Sequence, residues 1–345
     1  GDHLTVRGGK TDGPDAAAYA ALHRKLSDFA RVLAPFRMMT PPRLTKDGNQ
    51  WGRLARHGLG VRALGRTGFR ELLRMILINA HDVAEDELTD DRLKGLLAFD
   101  ATLGSWLGPR SPNSLILYLN RLATGVDPLL PKGGMSALAA AMERAARAAG
   151  VEVRTGARVA RVLVENDRAA GVTLASGETL SAGTVISAIG PRQTFRDLVG
   201  ARHLDAGFFT RTSHIRSRGA AARLTLALTA RPDFRGADIG TRLVIAPSSA
   251  AVDAAFNPCK YGEVPQAPVM EIVLPSAHED GFAPAGHHVL SAIVQSAPHR
   301  PKDAPDAARA AMLEATLRQI EAHAPGLRGL IAHADLLMPR DIEAR

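Results

Sequence analysis

The sequence predicts a mixed α/β (α+β) protein of roughly two domains, with helices in its first third and most of its strands after residue 150. Three observations carry this. The chain has 345 residues, 46% of them apolar, enough to bury substantial cores. Apolar residues recur at helical spacing up to about residue 100. After Gly150 the period shortens to two, and turn residues separate the short apolar runs.

Residues 15–39 place Leu22, Leu26, Phe29, Val32 and Leu33 on one helical face until Pro35, and then Pro41-Pro42, interrupt it. The glycine-punctuated, basic stretch that follows reads as a connector. Phe69 to Ala80 is helical again, and Thr89, Asp90 and Asp91 offer caps for a helix through Leu93, Leu96 and Leu97. At Pro131-Lys132-Gly133-Gly134 a turn opens an alanine-rich helix running to about Ala149, closed by Gly150 in the role of a left-handed cap. Val151 and Val153 then make a short strand, Val159, Val162 and Val164 a second, and Gly171 to Leu174 a third, with turns at Asn166-Asp167 and Ser176-Gly177. The run Thr184 to Ile189 is apolar on both faces, the pattern of a buried parallel strand. Beyond residue 200, Arg223 to Thr229, Val269 to Leu274 and Val289 to Val294 form a second sheet. Ala307 to Ala324 is a last amphipathic helix, with Met312, Leu313, Leu317 and Ile320 at core spacing, before the short run Leu330-Ile331.

The net charge of +8 comes from arginines scattered among alanines, and aromatics make up 4% of the chain, too few to stack bases, so no nucleic-acid partner is expected. The single cysteine, Cys259, excludes an intrachain disulfide framework and suits a reducing, cytoplasmic compartment. No apolar stretch is long enough to cross a bilayer. Gly1-Asp2-His3 offers neither an initiator methionine nor a signal-peptide core, and a chain that begins mid-protein is expected.

Several local motifs fail on context. Gly58-Leu59-Gly60-Val61-Arg62-Ala63 fits G-x-G-x-x-[GA], but a dinucleotide fingerprint follows an apolar strand and Arg53 to His57 is basic. Gly9-Lys10-Thr11 lacks the first glycine of a phosphate loop, since position 4 is Leu4. His278, His287 and His288 have no metal-ligand spacing, and no metal is expected. Gly134-Met135-Ser136-Ala137-Leu138 lacks the closing glycine of a nucleophile elbow, leaving Ser136 an ordinary helix residue. A nucleophilic Cys259 would need a histidine brought to it by the fold.

The order from Lys132 to Leu198 is more informative: Gly-Gly loop, helix, strand, meander, apolar strand. Its text, GGMSALAAAMERAARAAGVEVRTGARVARVLVENDRAAGVTLASGETLSAGTVISAIGPRQTF, resembles the phytoene dehydrogenase-like flavoproteins (phytoene desaturases and carotenoid-retinoid oxidoreductases), within the wider amine oxidase and GDP-dissociation-inhibitor type of FAD fold. GSWLGPRSPNSLILYL, with Gly108-Pro109 and Ser111-Pro112, is similar to the segment these proteins carry before the Gly-Gly loop, and MEIVLPSAHEDGFAPAGHHVLSAIVQSAPHRP to their substrate-domain strands. The likeness spans roughly residues 69 to 345.

The resemblance implies a helical part of a substrate-binding domain over residues 1–130, a partial FAD-binding region over 131–200, and the sheet and helix of the substrate domain over 201–345. It implies that Val159 meets the adenine through its backbone, and that Ala188, Gly190 and Pro191 pass close to the flavin's phosphates or ribityl chain; where the family commonly has an acidic residue before the proline, this chain has Gly190. It implies FAD as cofactor, hydride transfer to it from an apolar, isoprenoid-like substrate, and compatibility with peripheral membrane contact and with self-association. No side chain is singled out as acid or base. The family's opening strand with G-x-G-x-x-G is not found before residue 60, and Met338 to Glu343 is similar to the approach to its glycine-rich C-terminal flavin segment. The expectation is therefore an internal piece of a flavoenzyme, itself holding little FAD. The alternative is a non-catalytic binding module on the same scaffold.

Overall fold

The computed structural model of the protein describes residues 3–37, 51–125 and 130–344. Two compact units are formed: Gly134–Ser217, and the discontinuous pair Gly1–Gly133 with Arg218–Arg345. The partial flavin region read from sequence, 131–200, falls largely in the first of these. Pro41-Pro42 lie outside the described residues.

A hairpin of β1 (Val6–Arg7) and β2 (Lys10–Thr11) leads into α1 (Ala16–Arg37), which buries Leu22, Leu26 and Phe29 as its spacing predicts. α1 continues past Pro35, whose missing N–H forfeits one ladder bond. α2 (Trp51–Ala63) and α3 (Gly65–Leu77) follow. The expected connector at Gly58–Ala63 is thus helical, because the leucine, alanine and arginines between its glycines are strong helix formers. The G-x-G-x-x-A run here lies inside a helix, not in a strand-to-helix turn. α4 (Ala80–Glu87), α5 (Asp91–Thr102) and α6 (Leu115–Leu122) complete the helical part, with Asp90 capping α5 by accepting from Arg92 N at 2.9 Å. Leu26, Met75, Leu93, Leu115 and Leu119 form its core.

The unit Gly134–Ser217 opens with α7 (Gly134–Ala148), terminated at Gly150 with φ 85°, the left-handed cap expected. β3 (Val159–Glu165), β4 (Arg168–Leu174) and β5 (Thr179–Ser181) form an antiparallel meander in that order, and Asn166 and Asp167, at φ 48° and 61°, make the tight turn. Two expected strands do not form. Val151 to Arg154 is irregular, and Thr184 to Ile189 joins no sheet and is exposed, with Ile186 at 91% and Ile189 at 51%. Periodicity marks a chain as β-compatible, but a strand exists only beside a ladder partner, and none of the described residues supplies one. Gln193–Val199 follows as a wide helical segment, then α8 (Ala206–Ser213), capped by Asp205, whose carboxylate accepts from Phe208 N at 2.9 Å.

The rest of the chain returns to the larger unit. β6 (Ala221–Leu228), β7 (Leu243–Ile245), β8 (Met270–Val273), β9 (His288–Gln295) and β10 (Ile331–Leu337) form one antiparallel sheet in the order β10-β6-β9-β8-β7. α9 (Ser249–Lys260), α10 (Pro305–His323) and α11 (Pro339–Ala344) pack around it. β6 alternates cleanly, and its Leu224 and Leu226 join Ile272, Leu290, Met312 and Ile320 in the sheet core. Of the short run Leu330-Ile331, Leu330 closes a 3-10 turn and Ile331 starts β10, a full strand of seven residues on β6.

Helical part and sheet are one body because α5 lies directly on the backbone that enters α9. A Cβ on Gly95 would stand 2.0 Å from Ala246 O and 2.9 Å from Ser248 N. Nearby, Arg242 donates to Asp100 at 2.7 Å and to Glu271 at 2.6 Å, and its guanidinium stacks on Phe99 with 5.6 Å to the ring centre. Neither the Gly95 methyl position nor the facing backbone can yield without separating α5 from α9. Gly95→Ala is therefore expected to lose about 2–4 kcal/mol in urea unfolding, overpacking against fixed main chain; a loss under about 0.5 kcal/mol would show that the two helices are not held in this contact.

Candidate functional site

The four residues picked out by resemblance, Val159, Ala188, Gly190 and Pro191, all lie in the unit Gly134–Ser217. Val159 is the first residue of β3, opposite Leu174 of β4. β3 is an edge strand: the sheet order gives it one neighbour, β4, so alternate main-chain groups along its other side have no strand partner. Ala188 and Gly190 sit at the end of the exposed irregular run, and Pro191 starts the helical segment that carries Gln193–Val199. That segment packs against β3. The structure thus brings the turn at 188–191 and the strand begun by Val159 into one small arrangement.

The turn is held by contacts that the residue pattern did not announce. Ser187 Oγ and Thr194 Oγ1 hydrogen bond at 2.7 Å across it, and Thr194 N donates to Gly190 O at 2.9 Å. Behind it, Phe195 and Phe208 meet edge to face at 4.8 Å, fixing the helical segment to α8. Hydroxyls seven residues apart around a proline are too common in sequence to have been chosen as a clasp.

Gly190 decides how open this turn is. A Cβ there would meet only Gln193 Oε1, at 3.6 Å, an ordinary contact. The backbone before Pro191 is therefore approachable from outside, and an acidic side chain in its place would be sterically admitted. An edge strand with free main-chain groups and an exposed, small-residue turn suit a nucleotide cofactor's adenine and phosphates, which are bound by backbone amides and carbonyls. These residues fit a flavin nucleotide in that respect. They provide no acid or base: the Ser187 and Thr194 hydroxyls are turned to each other, and Ala188, Gly190 and Pro191 carry no titratable group.

A second polar cluster lies in the larger unit, beneath the GPRSPNS block. His81 Nδ1 meets Ser249 Oγ at 2.8 Å, Ser114 Oγ accepts from Ala80 N at 2.9 Å and donates to Pro109 O at 3.0 Å, and all three side chains are buried. Its polar groups satisfy one another, so the block joins α4, α6 and α9. Ser136 is an exposed residue of α7. Among the described residues, no three histidines, cysteines or carboxylates gather as a metal site.

Cys259 is fully buried on α9, and desolvation pushes its thiol up to about 12. A neutral, enclosed thiol is not a nucleophile near pH 7. Burial likewise raises the Tyr19 phenol to about 12. Groups whose folded pKa is raised stabilise the fold fully below their unfolded pKa, and that contribution disappears as pH climbs toward the folded value. Stability in urea is expected to decline from about pH 9 toward 12, less steeply in Cys259→Ala; an identical slope in the variant would contradict burial of this thiol.

The chain thus combines a helical part laid on an antiparallel sheet with a separate unit built on a helix and a three-stranded meander. Residues 4–320 match the family described as flavin containing amine oxidoreductase, and the chain belongs to that family. The match begins far ahead of residue 69, where the resemblance read from motifs starts. The chain is 27% identical over 281 residues to pyridine nucleotide-disulfide oxidoreductase domain-containing protein 2 of Mus musculus, covering 76% of this chain and 48% of that protein. It is 32% identical over 121 residues to the zeta-carotene-forming phytoene desaturase of Myxococcus xanthus, covering 34% of this chain and 23% of the desaturase. Among solved structures, an oxidoreductase from Methanosarcina mazei superposes with a TM-score of 0.52 at 18% identity, over 76% of this chain and 56% of that one, a likeness of fold. The chain spans about half the length of the mouse protein it matches.

Proposed function

We propose that this chain supplies the substrate-binding body and part of the nucleotide cradle of a FAD-dependent oxidoreductase that dehydrogenates or isomerises an apolar, isoprenoid-like substrate. The observation that carries the reading is the family match along residues 4–320. The similarity to the desaturase of Myxococcus xanthus supports the substrate class.

In this reading the backbone of Val159 holds the adenine, and Ala188, Gly190 and Pro191 allow close approach to the phosphates or ribityl chain. Bound there, the flavin would supply hydride acceptance from a substrate carbon. The protein's own share is placement. The Ser187–Thr194 clasp fixes the turn, and a dry pocket around the reacting carbon would keep water from it. No proton need be held by a side chain of this cradle. The exposed apolar run through Ile186 and Ile189 joins no sheet among the described residues, and a strand pairing with it would complete the cradle.

The test compares intact mass and flavin absorbance of residues 1–345 with those of the whole product of the gene, prepared alike. The whole product is expected to be yellow and the shorter chain to hold little or no FAD. Val159→Pro, which removes the backbone N–H, should lower FAD affinity of the whole product about tenfold or more, whereas Val159→Ala should leave it nearly unchanged. A whole product that is colourless and does not bind added FAD would sink the oxidoreductase reading and favour a non-catalytic binding module.

A further inference from the structure

The larger unit carries an apolar strip that its own core does not use. On α3, Leu72 and Met75 enter the helical core, while Phe69, Leu73 and Leu77 remain 42%, 43% and 64% exposed, and Leu59 of α2 is 65% exposed. Phe69, Leu73 and Leu77 are spaced four apart and share one face. With about 100° of rotation per residue, Arg66 and Arg70 point within roughly 60° of Leu73, so the same face is apolar and cationic together. Arg62, Arg66 and Arg70 are exposed and enter no ion pair among the described residues. Over residues 51–77 the sequence has six arginines (53, 56, 62, 66, 70 and 74) against one acid, Glu71, which is held by Arg74 at 3.0 Å.

We infer that this α2–α3 face docks on an anionic phospholipid surface, with Leu59, Phe69, Leu73 and Leu77 entering the headgroup boundary and Arg62, Arg66 and Arg70 meeting the phosphates. Charge selects this occupant. A second copy of the chain bringing the same patch across a two-fold axis would set arginines against arginines. A nucleic acid would lay its phosphates on leucine and phenylalanine side chains. An anionic bilayer interface satisfies both components: apolar side chains dip below the headgroups while arginines extend to them. The contact is peripheral, since among the described residues no helix is long and apolar enough to cross a membrane. The helical backbone is satisfied internally, so entry into the boundary leaves no main-chain group unpaired.

The test is flotation of residues 1–345 with vesicles of phosphatidylglycerol and phosphatidylcholine in equal parts, against phosphatidylcholine alone. Binding to the anionic vesicles is expected to exceed that to the neutral ones by about tenfold or more and to weaken in high salt. Leu73→Asp with Leu77→Asp, and separately Arg66→Glu with Arg70→Glu, should each cut partitioning about tenfold or more without changing the thermal melt, because all four side chains are exposed. Should either pair destabilise the fold, the other decides. Equal flotation with both vesicle types, or variants that float as the unaltered chain does, would overturn the assignment. So would light scattering showing that the patch variants dissociate a dimer, or tight binding to RNA that the same arginine pair abolishes.

Discussion

The contact between α5 and the chain entering α9 is the constraint on which the larger unit depends. Its two halves are separated in sequence by the whole of Gly134–Ser217, and each would present an apolar face to water alone. Gly95 lets main chain meet main chain, and around that contact Phe99, Ala98, Val252 and Val269 close a small joint core. The guanidinium of Arg242 then spans the seam, joining Asp100 of α5 to Glu271 of β8. A second clasp lies farther along: Gln295 of β9 accepts from Gly104 N at 2.9 Å and donates to Thr102 O. The polar groups at this seam are therefore paired, which lets the helices lie close to the sheet without leaving buried charge uncompensated.

That arrangement explains why chemistry is hard to locate in side chains. The buried His81, Ser114 and Ser249 side chains of the larger unit are committed to joining α4, α6 and α9. Cys259, the residue type most often read as a nucleophile, is enclosed and neutral. What the smaller unit presents is main chain: an edge strand and an open turn. A family whose cofactor performs the electron chemistry requires little more of its protein than shape, dryness and backbone hydrogen bonds.

Much of the fold was legible. The face of α1, the Asp90 cap, Gly150, the Asn166-Asp167 turn and strands β3, β4, β6, β8 and β9 all follow from local spacing and turn chemistry, which are short-range properties. α9 and β7 were not picked out, because SAAVDAAFNPCK contains too few large apolar residues for a clear stripe and β7 has only three residues. The opposite error occurred at Thr184 to Ile189, where hydrophobicity alone indicated burial. The seam itself was invisible: nothing in Gly95 or Arg242 announces partners more than a hundred residues away. The turn at 188–191 is marked by family resemblance, whereas the Ser187–Thr194 clasp that shapes it exists only in the folded chain.

Two kinds of exposed apolar surface result, and backbone state distinguishes them. In the smaller unit, Ile186 and Ile189 sit on irregular chain whose N–H and C=O groups join no sheet among the described residues. Such a segment cannot enter lipid without stranding those groups; a partner suited to it brings backbone donors and acceptors of its own, as another strand does. On α3 the situation is reversed. Its ladder is internally satisfied, its apolar residues project singly, and arginines border them, so a surface with no hydrogen-bond pattern but with negative charge can cover it. One hydrophobicity value would rank both stretches alike; the unpaired main chain in one and the charge beside the other assign them to different neighbours.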